Sequence, residues 1–256
     1  MSEDILALTP PPADHRIPFG TDGNQFGDLR LPKGKMPSPV VMNIHGGYWR
    51  AKYDLVHAGH LCAALTTKGC ATWNVEYRRV GNPGGGWPGT FEDIADAYRF
   101  LGQIARRYSL DTSRVVVMGH SAGGQLALCL AGHEPSVHRA VSLAGVVDLQ
   151  RAFDLHLSND AVVEFLGGKP NEVPEHYQDA DPLRLHMAQA RQLMIHGSSD
   201  DVVPPEFSRD YVSKKKKAGE KVELSEIARA DRFDLIDPRS AAWSQVQAKV
   251  LDLLAL

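Results

Sequence analysis

Residues 114–124 have the sequence Arg-Val-Val-Val-Met-Gly-His-Ser-Ala-Gly-Gly, in which a β-branched run leads into a serine between glycines. The three valines are typical of a strand buried on both faces, and a helix is predicted after the last glycine, so Ser121 falls on the turn between them. Gly119 and Gly123 flank it as Gly-X-Ser-X-Gly, because a side chain at either position would clash where strand and helix approach closely. A plain tight turn is the alternative, but this context favours a strained turn that exposes the Ser121 hydroxyl as a nucleophile.

The composition indicates a globular chain with no affinity for polyanions. Of its 256 residues 43% are hydrophobic, which is enough for a substantial core, and the length is near the upper end for one α/β domain. We therefore expect a single domain over residues 1–256. The net charge of -3 provides no basic field, so nucleic acid and anionic membranes are not expected as partners, and a small or neutral substrate is favoured.

The N-terminus and the cysteines favour a cytoplasmic protein. Residues 1–4 are Met-Ser-Glu-Asp and precede only four apolar residues, which is not the pattern of a signal peptide. No apolar run in the sequence reaches the length needed to span a membrane. Cys62, Cys70 and Cys129 are odd in number and lack Cys-X-X-Cys spacing, so we expect buried, reduced thiols.

Predicted strands and helices alternate along the chain. Residues 16–19 and 28–31 predict two short strands that form an antiparallel start to the sheet. The alternation that follows predicts right-handed crossovers and a mostly parallel central sheet flanked by helices. The remaining predicted strands are residues 40–44, 71–77, 140–144, 192–196 and 222–227, and the predicted helices are residues 54–68, 90–108, 206–218 and 239–254. A capping box is predicted at the start of the second of these helices, at Thr90.

Residues 149–190 interrupt this alternation. Prolines at positions 170, 174 and 182 separate short apolar clusters, which predicts small helices that form a cap over one end of the sheet. A merely decorative insertion is the alternative, although segments of this length are more often functional.

Residues 45–49, His-Gly-Gly-Tyr-Trp, follow a predicted strand and are rich in backbone donors. The glycines allow the N–H groups of Gly46 and Gly47 to point into a cavity, where one of them can pair with the N–H of Ala122 to hold an oxyanion. A structural turn with Trp49 as core filler is the alternative, but lipase-type esterases place His-Gly-Gly before Gly-X-Ser-X-Gly in this way. The side chains expected to contact the substrate are Tyr48, Trp49, Trp87 and His120.

A second segment, residues 196–204, has the sequence His-Gly-Ser-Ser-Asp-Asp-Val-Val-Pro. A predicted strand ends here, and two acids, Asp200 and Asp201, lie in the loop. A serine followed later in the chain by an acid is the order that a Gly-X-Ser-X-Gly hydrolase requires.

Together, these segments resemble the α/β-hydrolase superfamily, near the branch of kynurenine formamidases and of carboxylesterases such as feruloyl and acetyl-xylan esterases. The matching motifs extend from residue 40 to residue 204. The resemblance implies the α/β-hydrolase fold with a small helical cap that walls the acyl pocket, and hydrolysis of a small ester or amide through an acyl-enzyme formed on Ser121. It implies that Asp200 rather than Asp201 is the acid of the triad. No metal or other cofactor is expected.

The sequence departs from this family at the catalytic base. Residues 230–234, Ala-Asp-Arg-Phe-Asp, resemble the loop that presents the catalytic histidine before a phenylalanine, but the histidine position holds Arg232, and no histidine follows His196. Arginine stays protonated and cannot accept the serine proton, so esterase activity should be strongly impaired. Three explanations are open: a histidine replaced on purpose to trap a complex, a natural ligand-binding pseudoenzyme, or an active variant with another base. The intact elbow, acid and oxyanion loop favour the first, and we expect Arg232 to form an ion pair with Asp200.

Other motifs have weaker functional interpretations. His57 and His60 are three residues apart on a predicted helix, but without a third ligand they favour packing over a metal site. Residues 84–89 fit Gly-X-Gly-X-X-Gly, but Pro88 removes a backbone donor that a dinucleotide would need, so the loop more readily shapes the pocket edge through Trp87. The four lysines at residues 214–217 are typical of a solvated helix end.

Overall fold

An eight-stranded sheet lies at the centre of the molecule. The computed structural model describes residues 2–34 and 36–255. The strands are β1 (His15–Pro18), β2 (Phe26–Arg30), β3 (Ser38–Ile44), β4 (Ala71–Val75), β5 (Leu110–His120), β6 (Arg139–Leu143), β7 (Arg191–Gly197) and β8 (Val222–Ile227). They lie in the order β1-β2-β4-β3-β5-β6-β7-β8. β1 and β2 pair in antiparallel fashion, β2 is antiparallel to β4, and every later pair is parallel. The predicted sheet, including its antiparallel start, is therefore confirmed.

Helices connect the parallel strands and cover both faces of the sheet. They are α1 (Gly59–Thr66), α2 (Gly89–Tyr108), α3 (Ala122–His133), α4 (Leu149–Asp154), α5 (Ala161–Leu166), α6 (Pro174–Ala180), α7 (Glu206–Lys217) and α8 (Trp243–Leu254), with 3-10 helices at Ser2–Ala7 and Val56–Ala58. The short helices α4, α5 and α6 occupy the segment predicted to form a cap. Loops at the carboxyl ends of β3, β5, β7 and β8 carry the residues of the predicted site, so these residues share one edge of the sheet.

Two apolar clusters, one on each face of the sheet, form the core. Along β3, Val40 and Met42 belong to one cluster and Val41 to the other, and the side chains of all three are fully buried. Alternate residues of a strand point to opposite faces, so a strand covered on both sides needs a continuous apolar run rather than an alternating one. The first cluster includes Ile94 of α2, and the second includes Leu61 of α1.

Three helix starts differ from their predictions because side chains bind the backbone elsewhere. The capping box at Thr90 is wrong: its hydroxyl donates to Arg78 O (2.5 Å) and accepts from Gly86 N (3.1 Å), and α2 begins at Gly89 without a side-chain cap. The helix predicted from residue 54 begins as the 3-10 turn Val56–Ala58, since Asp54 accepts a bond from Val56 N. The last helix begins at Trp243 instead of residue 239: Ser240 Oγ accepts from Trp243 N in the turn before it, and the N-cap residue Ala242 makes no side-chain cap.

The remaining general expectations concern thiols and the membrane. Cys62, Cys70 and Cys129 are free and buried, as predicted. Burial raises the pKa of Cys62 and of Cys70 to about 12. In the part of the chain that the structure describes, no helix combines the length and the apolar character needed to cross a membrane.

Candidate active site

Ser121 occupies the sharp turn between β5 and α3. Its backbone has φ 57° and ψ -119°, a strained conformation for a residue with a side chain. Hydrogen bonds hold it there: Ser121 N donates to Leu143 O (2.8 Å), and Ser121 O accepts from Gly124 N (2.9 Å) and Gln125 N (3.2 Å). The strained backbone directs the hydroxyl away from the strand and into a pocket above the sheet.

The glycines around Ser121 are required by close backbone contacts. A Cβ on Gly119 would lie 2.0 Å from Gly123 O, and one on Gly123 would lie 2.1 Å from Ile44 O. Gly46, in the loop after β3, has a similar constraint, since its Cβ would lie 2.8 Å from His120 O. The structure thus supplies the steric reason that the sequence pattern predicts for the flanking glycines.

The loop after β3 presents backbone donors next to Ser121. Gly47 adopts φ 116°, and no acceptor within residues 2–34 and 36–255 takes the N–H of Gly46, Gly47 or Ala122. His45 fixes this loop from behind: its Nε2 lies 3.0 Å from a carboxylate oxygen of Glu76, and its ring stacks on Tyr77 at 4.5 Å. Backbone N–H groups without an acceptor, placed beside a serine hydroxyl, are the arrangement that the predicted oxyanion hole requires.

Arg232 lies directly against Ser121. Its Nη2 donates a hydrogen bond to Ser121 Oγ, and its guanidinium carbon lies 5.8 Å from the ring centroids of both Tyr48 and Phe233. The residue is only 5% exposed, and its Nη1 has no hydrogen-bond partner in the described chain. The ion pair expected between Arg232 and Asp200 is wrong, because the guanidinium is directed to the serine instead, and no contact within salt-bridge distance joins the two groups among the described residues.

Asp200 lies in the loop after β7 and is also buried, with 5% of its surface exposed. Its Oδ1 accepts from Val202 N (3.0 Å) and Val203 N (2.9 Å), whereas its Oδ2 accepts no hydrogen bond. His196 Nε2 is 3.3 Å from Oδ2, but its N–H is directed to Val203 O at 2.9 Å. Burial alone would raise the pKa of Asp200, but His196, Arg232 and the two N–H groups together hold the pKa below its usual value, so the carboxylate is ionised.

The pocket above Ser121 has a volume of about 240 Å³. Of the side chains expected to contact the substrate, Tyr48 and His120 line it. The lining residues are Glu3, Leu6, Gly47, Tyr48, Tyr53, His57, His120, Ser121, Val202, Arg232 and Phe233. Burial, reinforced by Arg232, keeps the pKa of His120 well below its usual value, and burial lowers the pKa of His57 to about 4, so both imidazoles are neutral at pH 7.

Trp49 and Trp87 lie outside this lining. Trp49 donates to the side chain of Gln125 (2.9 Å) and stacks on Phe165 at 4.6 Å, and only 1% of its surface is exposed. Trp87 packs on Phe91 at 5.3 Å and donates its backbone N–H to Phe165 O. Both tryptophans therefore attach the helix α5 to the body of the fold. For Trp49 this arrangement favours the alternative interpretation, in which the side chain fills the core instead of contacting the substrate.

Sequence reasoning missed the contribution of the N-terminal 3-10 helix to the pocket. Ile5 of this helix is fully buried in the core, and its neighbours Glu3 and Leu6 line the pocket. The only signal in the sequence was the short apolar group at residues 5–8. His57 was also missed, since it lies in a 3-10 turn and faces the pocket rather than pairing with His60, which contacts Leu8 O at 3.3 Å.

A mostly parallel eight-stranded sheet with a strained serine between β5 and α3 defines the α/β-hydrolase fold. The chain belongs to the BD-FAE family, whose model matches residues 28–214. Among solved structures, the chain is similar to esterase B from Lactobacillus rhamnosis, with a TM-score of 0.83 and 16% identity over 99% of this chain and 89% of that one. It is also similar to a truncated carbohydrate esterase from gut microbiota, with a TM-score of 0.81 and 20% identity over 96% and 99% of the two chains.

Curated relatives are similar at the level of sequence. Esterase LipC of Mycobacterium tuberculosis is 26% identical over 87% of this chain, and versiconal hemiacetal acetate esterase of Dothistroma septosporum is 32% identical over 51% of it. The chain spans 60% and 40% of the lengths of these two relatives.

Proposed function

We propose that this chain is a serine hydrolase of the carboxylesterase type, acting on small carboxylic esters or related amides. The observation that carries the proposal is the strained Ser121. Its hydroxyl enters a pocket beside the N–H groups of Gly47 and Ala122, which have no acceptor in the described part of the chain. Two curated relatives that match the chain carry the word esterase in their names, which supports the same reaction class.

In the proposed reaction, Ser121 Oγ attacks the carbonyl carbon of the substrate and loses its proton to a base. The carbonyl oxygen becomes an oxyanion, which the N–H groups of Gly46, Gly47 and Ala122 stabilise. When the tetrahedral intermediate collapses, the bond to the leaving alcohol or amine breaks, the leaving group takes a proton, and an acyl-enzyme remains. Water then attacks the acyl group and releases a carboxylic acid, which regenerates the serine.

The base for this sequence is missing, so we propose that turnover is strongly impaired. Arg232 occupies the position next to Ser121 Oγ, and a guanidinium cannot accept a proton at working pH. Loss of the triad histidine costs about 10⁶ in turnover, which leaves about 10³ to 10⁴ over water from the oxyanion hole and binding. Asp200 Oδ2 is buried and accepts no hydrogen bond in the described chain, which supports a replaced histidine, since an imidazole N–H is the donor that this oxygen lacks.

The acyl group in this proposal is short. A pocket of about 240 Å³ with Leu6, Val202 and Phe233 in its wall suits a small apolar acyl chain better than an extended one. A formamide, as in the kynurenine formamidase branch, has the smallest acyl group of all. A panel with one acetyl ester, one feruloyl ester and one N-formyl anilide therefore separates the branches that the sequence resembles.

A second candidate is a ligand-binding pseudoenzyme of the same fold. The hydrogen bond from Arg232 to Ser121 favours it, because that bond occupies the nucleophile with a donor. An Arg232→His substitution separates the two functions. A large gain in p-nitrophenyl ester hydrolysis supports the disabled hydrolase, whereas no gain supports the binding function.

A fluorophosphonate probe tests the nucleophile directly. We expect slow labelling of the unmodified chain, faster labelling of the Arg232→His variant, and no labelling after a further Ser121→Ala substitution. If the double variant is labelled as fast as the single one, Ser121 is not the nucleophile.

A further inference from the structure

A buried cation and backbone donors meet in the pocket, and three of their N–H groups have no acceptor among residues 2–34 and 36–255. Arg232 donates a hydrogen bond from Nη2 to Ser121 Oγ, but its Nη1 is buried and has no hydrogen-bond acceptor in the described chain. The N–H groups of Gly47 and Ala122 also have no acceptor among the residues that the structure describes. Ala122 is the first residue of the helix α3, where the helix dipole adds partial positive charge. A buried unpartnered donor is rare, because its lost hydration is costly.

The guanidinium is held in position by packing rather than by an acid. The rings of Tyr48 and Phe233 lie within cation–π distance of it, at 5.8 Å each, and the residue is 5% exposed. Against the effect of burial, His196 and the charge of Arg232 lower the pKa of Asp200, but Oδ1 of this carboxylate accepts from backbone N–H groups, and no salt bridge joins it to Arg232 in the described chain. The positive charge is therefore both fixed and available.

We propose that this pocket is a binding site for a small carboxylate, whose oxygens accept from Arg232 Nη1 and from the backbone N–H groups beside Ser121. A planar carboxylate matches a guanidinium better than other anions of its charge. The inference uses the same pocket as the proposed function but requires no catalytic step.

The surrounding groups favour a monoanion with a short apolar tail. One guanidinium faces the pocket, His57 and His120 are neutral, and the carboxylates of Asp200 and Glu3 oppose a second negative charge. The wall also contains Leu6, Tyr53 and Val202, against which an alkyl chain can pack. Within about 240 Å³, these features describe a short-chain fatty acid such as propionate or butyrate.

The test compares propionate with propionamide, which has nearly the same shape but no charge. Binding to the full chain is measured by isothermal titration calorimetry and by NMR shifts of the arginine side-chain N–H groups. Propionate is expected to bind saturably and about tenfold or more tighter than propionamide, because a hydrogen bond to a charged group is worth more than one between neutral groups. Equal binding of the two, or no saturable binding of propionate, would overturn the proposal.

Variants locate the site. Arg232→Gln is expected to weaken propionate binding about tenfold or more, whereas Arg229→Gln, an equal change of charge at an exposed position three residues earlier, should leave it unchanged. If Arg232→Gln folds poorly, the comparison of propionate with propionamide and the shift of the Arg232 side-chain signals still decide the question. An equal loss in both variants would show a nonspecific charge effect, and tighter binding of inorganic phosphate than of propionate would show that the anion class is wrong.

The outcome is independent of the proposed hydrolysis. Arg232→His can restore ester hydrolysis whether or not the unmodified chain binds propionate, so each proposal can fail alone.

Discussion

Replacement of Arg232 with histidine is expected to raise esterase activity strongly, because in our proposal the unmodified chain lacks the catalytic base. The substitution removes the guanidinium that donates to Ser121 Oγ and places an imidazole in the loop after β8, between the hydroxyl and Asp200. One imidazole nitrogen can then accept the serine proton. The N–H on the other can donate to Asp200 Oδ2, which is buried and accepts no hydrogen bond in the described chain. The substitution would thus supply a proton acceptor for Ser121 Oγ and a hydrogen-bond donor for Asp200 Oδ2.

The expected size of the gain follows from two terms. A missing triad histidine costs about 10⁶ in turnover, or about 8 kcal/mol of transition-state stabilisation, which is the upper limit of the recovery. Arg232 reaches Ser121 with the tip of a longer side chain than histidine, so the imidazole starts short of its best position unless the loop moves. A misplacement of about 1 Å costs about 10²-fold. We therefore expect kcat/KM to rise by about 10³ to 10⁴, which corresponds to about 4 to 5.5 kcal/mol.

The assay is hydrolysis of p-nitrophenyl acetate, with Arg232→Gln as the matched control. The glutamine variant removes the same cation and supplies no base, so it should stay at the level of the unmodified chain. In the Arg232→His background, Ser121→Ala should remove the gain, and Asp200→Asn should reduce it about 10²- to 10⁴-fold through loss of the oriented tautomer. Equal activities of the histidine and glutamine variants, with equal melting temperatures, would refute the assignment of position 232 as the base position.

Three further predictions concern stability. Gly123→Ala is expected to lower the free energy of unfolding by about 3 kcal/mol or more, since its Cβ would lie 2.1 Å from a carbonyl oxygen. Gly102→Ala, at a position of α2 where a Cβ meets no atom within 4 Å, should leave the free energy of unfolding unchanged or raise it by up to about 1 kcal/mol. Equal urea midpoints of the two variants would contradict the predicted clash at Gly123. Burial lowers the pKa of His57 from 6.5 to about 4, so the unfolded chain binds a proton at pH values where the folded state does not. The free energy of unfolding should therefore fall by about 3 kcal/mol as the pH decreases from 6.5 to 4. Denaturant titrations of His57→Gln should lack this contribution to the pH dependence. Burial raises the pKa of Asp181 from 3.8 to about 7, so the stability that its protonated form contributes is lost as the pH rises from 3.8 through 7. At pH 8, Asp181→Asn should therefore be more stable than the unmodified chain by about 2 to 4 kcal/mol. An equal or lower melting temperature of the variant at pH 8 would contradict this prediction.

The features that the sequence predicted well are those determined by neighbours along the chain. The valines of β5 alternate between two buried clusters, so a continuous apolar run was sufficient to predict a strand covered on both faces. Gly119 and Gly123 were predicted from a turn only five residues long, and their contacts lie within that turn or at the end of the adjacent strand. Local geometry of this kind leaves a direct trace in the residue pattern.

The features that the sequence did not predict depend on contacts between distant segments. Arg232 and Ser121 are 111 positions apart, and the choice of Ser121 over Asp200 as the partner of the guanidinium depends on the rings of Tyr48 and Phe233 that position it. The contribution of Leu6 to the pocket wall likewise depends on where the N-terminal 3-10 helix packs. No periodicity within one segment carries this information, since it arises only when the loops assemble at the edge of the sheet.

In our two proposals, the residue at position 232 decides between ester hydrolysis, which needs a histidine, and carboxylate binding, which needs an arginine. A neutral histidine there would leave the ionised Asp200 without the compensating charge of Arg232, so the carboxylate product of ester hydrolysis would be repelled and released. In the two proposals, the arginine at the same position provides no base, which stops the production of that carboxylate, and supplies the cation that binds one. The Arg232→His variant should therefore lose propionate affinity about tenfold or more as it gains hydrolysis, because a single guanidinium accounts for both properties. A variant that gained hydrolysis and kept its propionate affinity would show that the backbone donors, rather than Arg232, dominate anion binding.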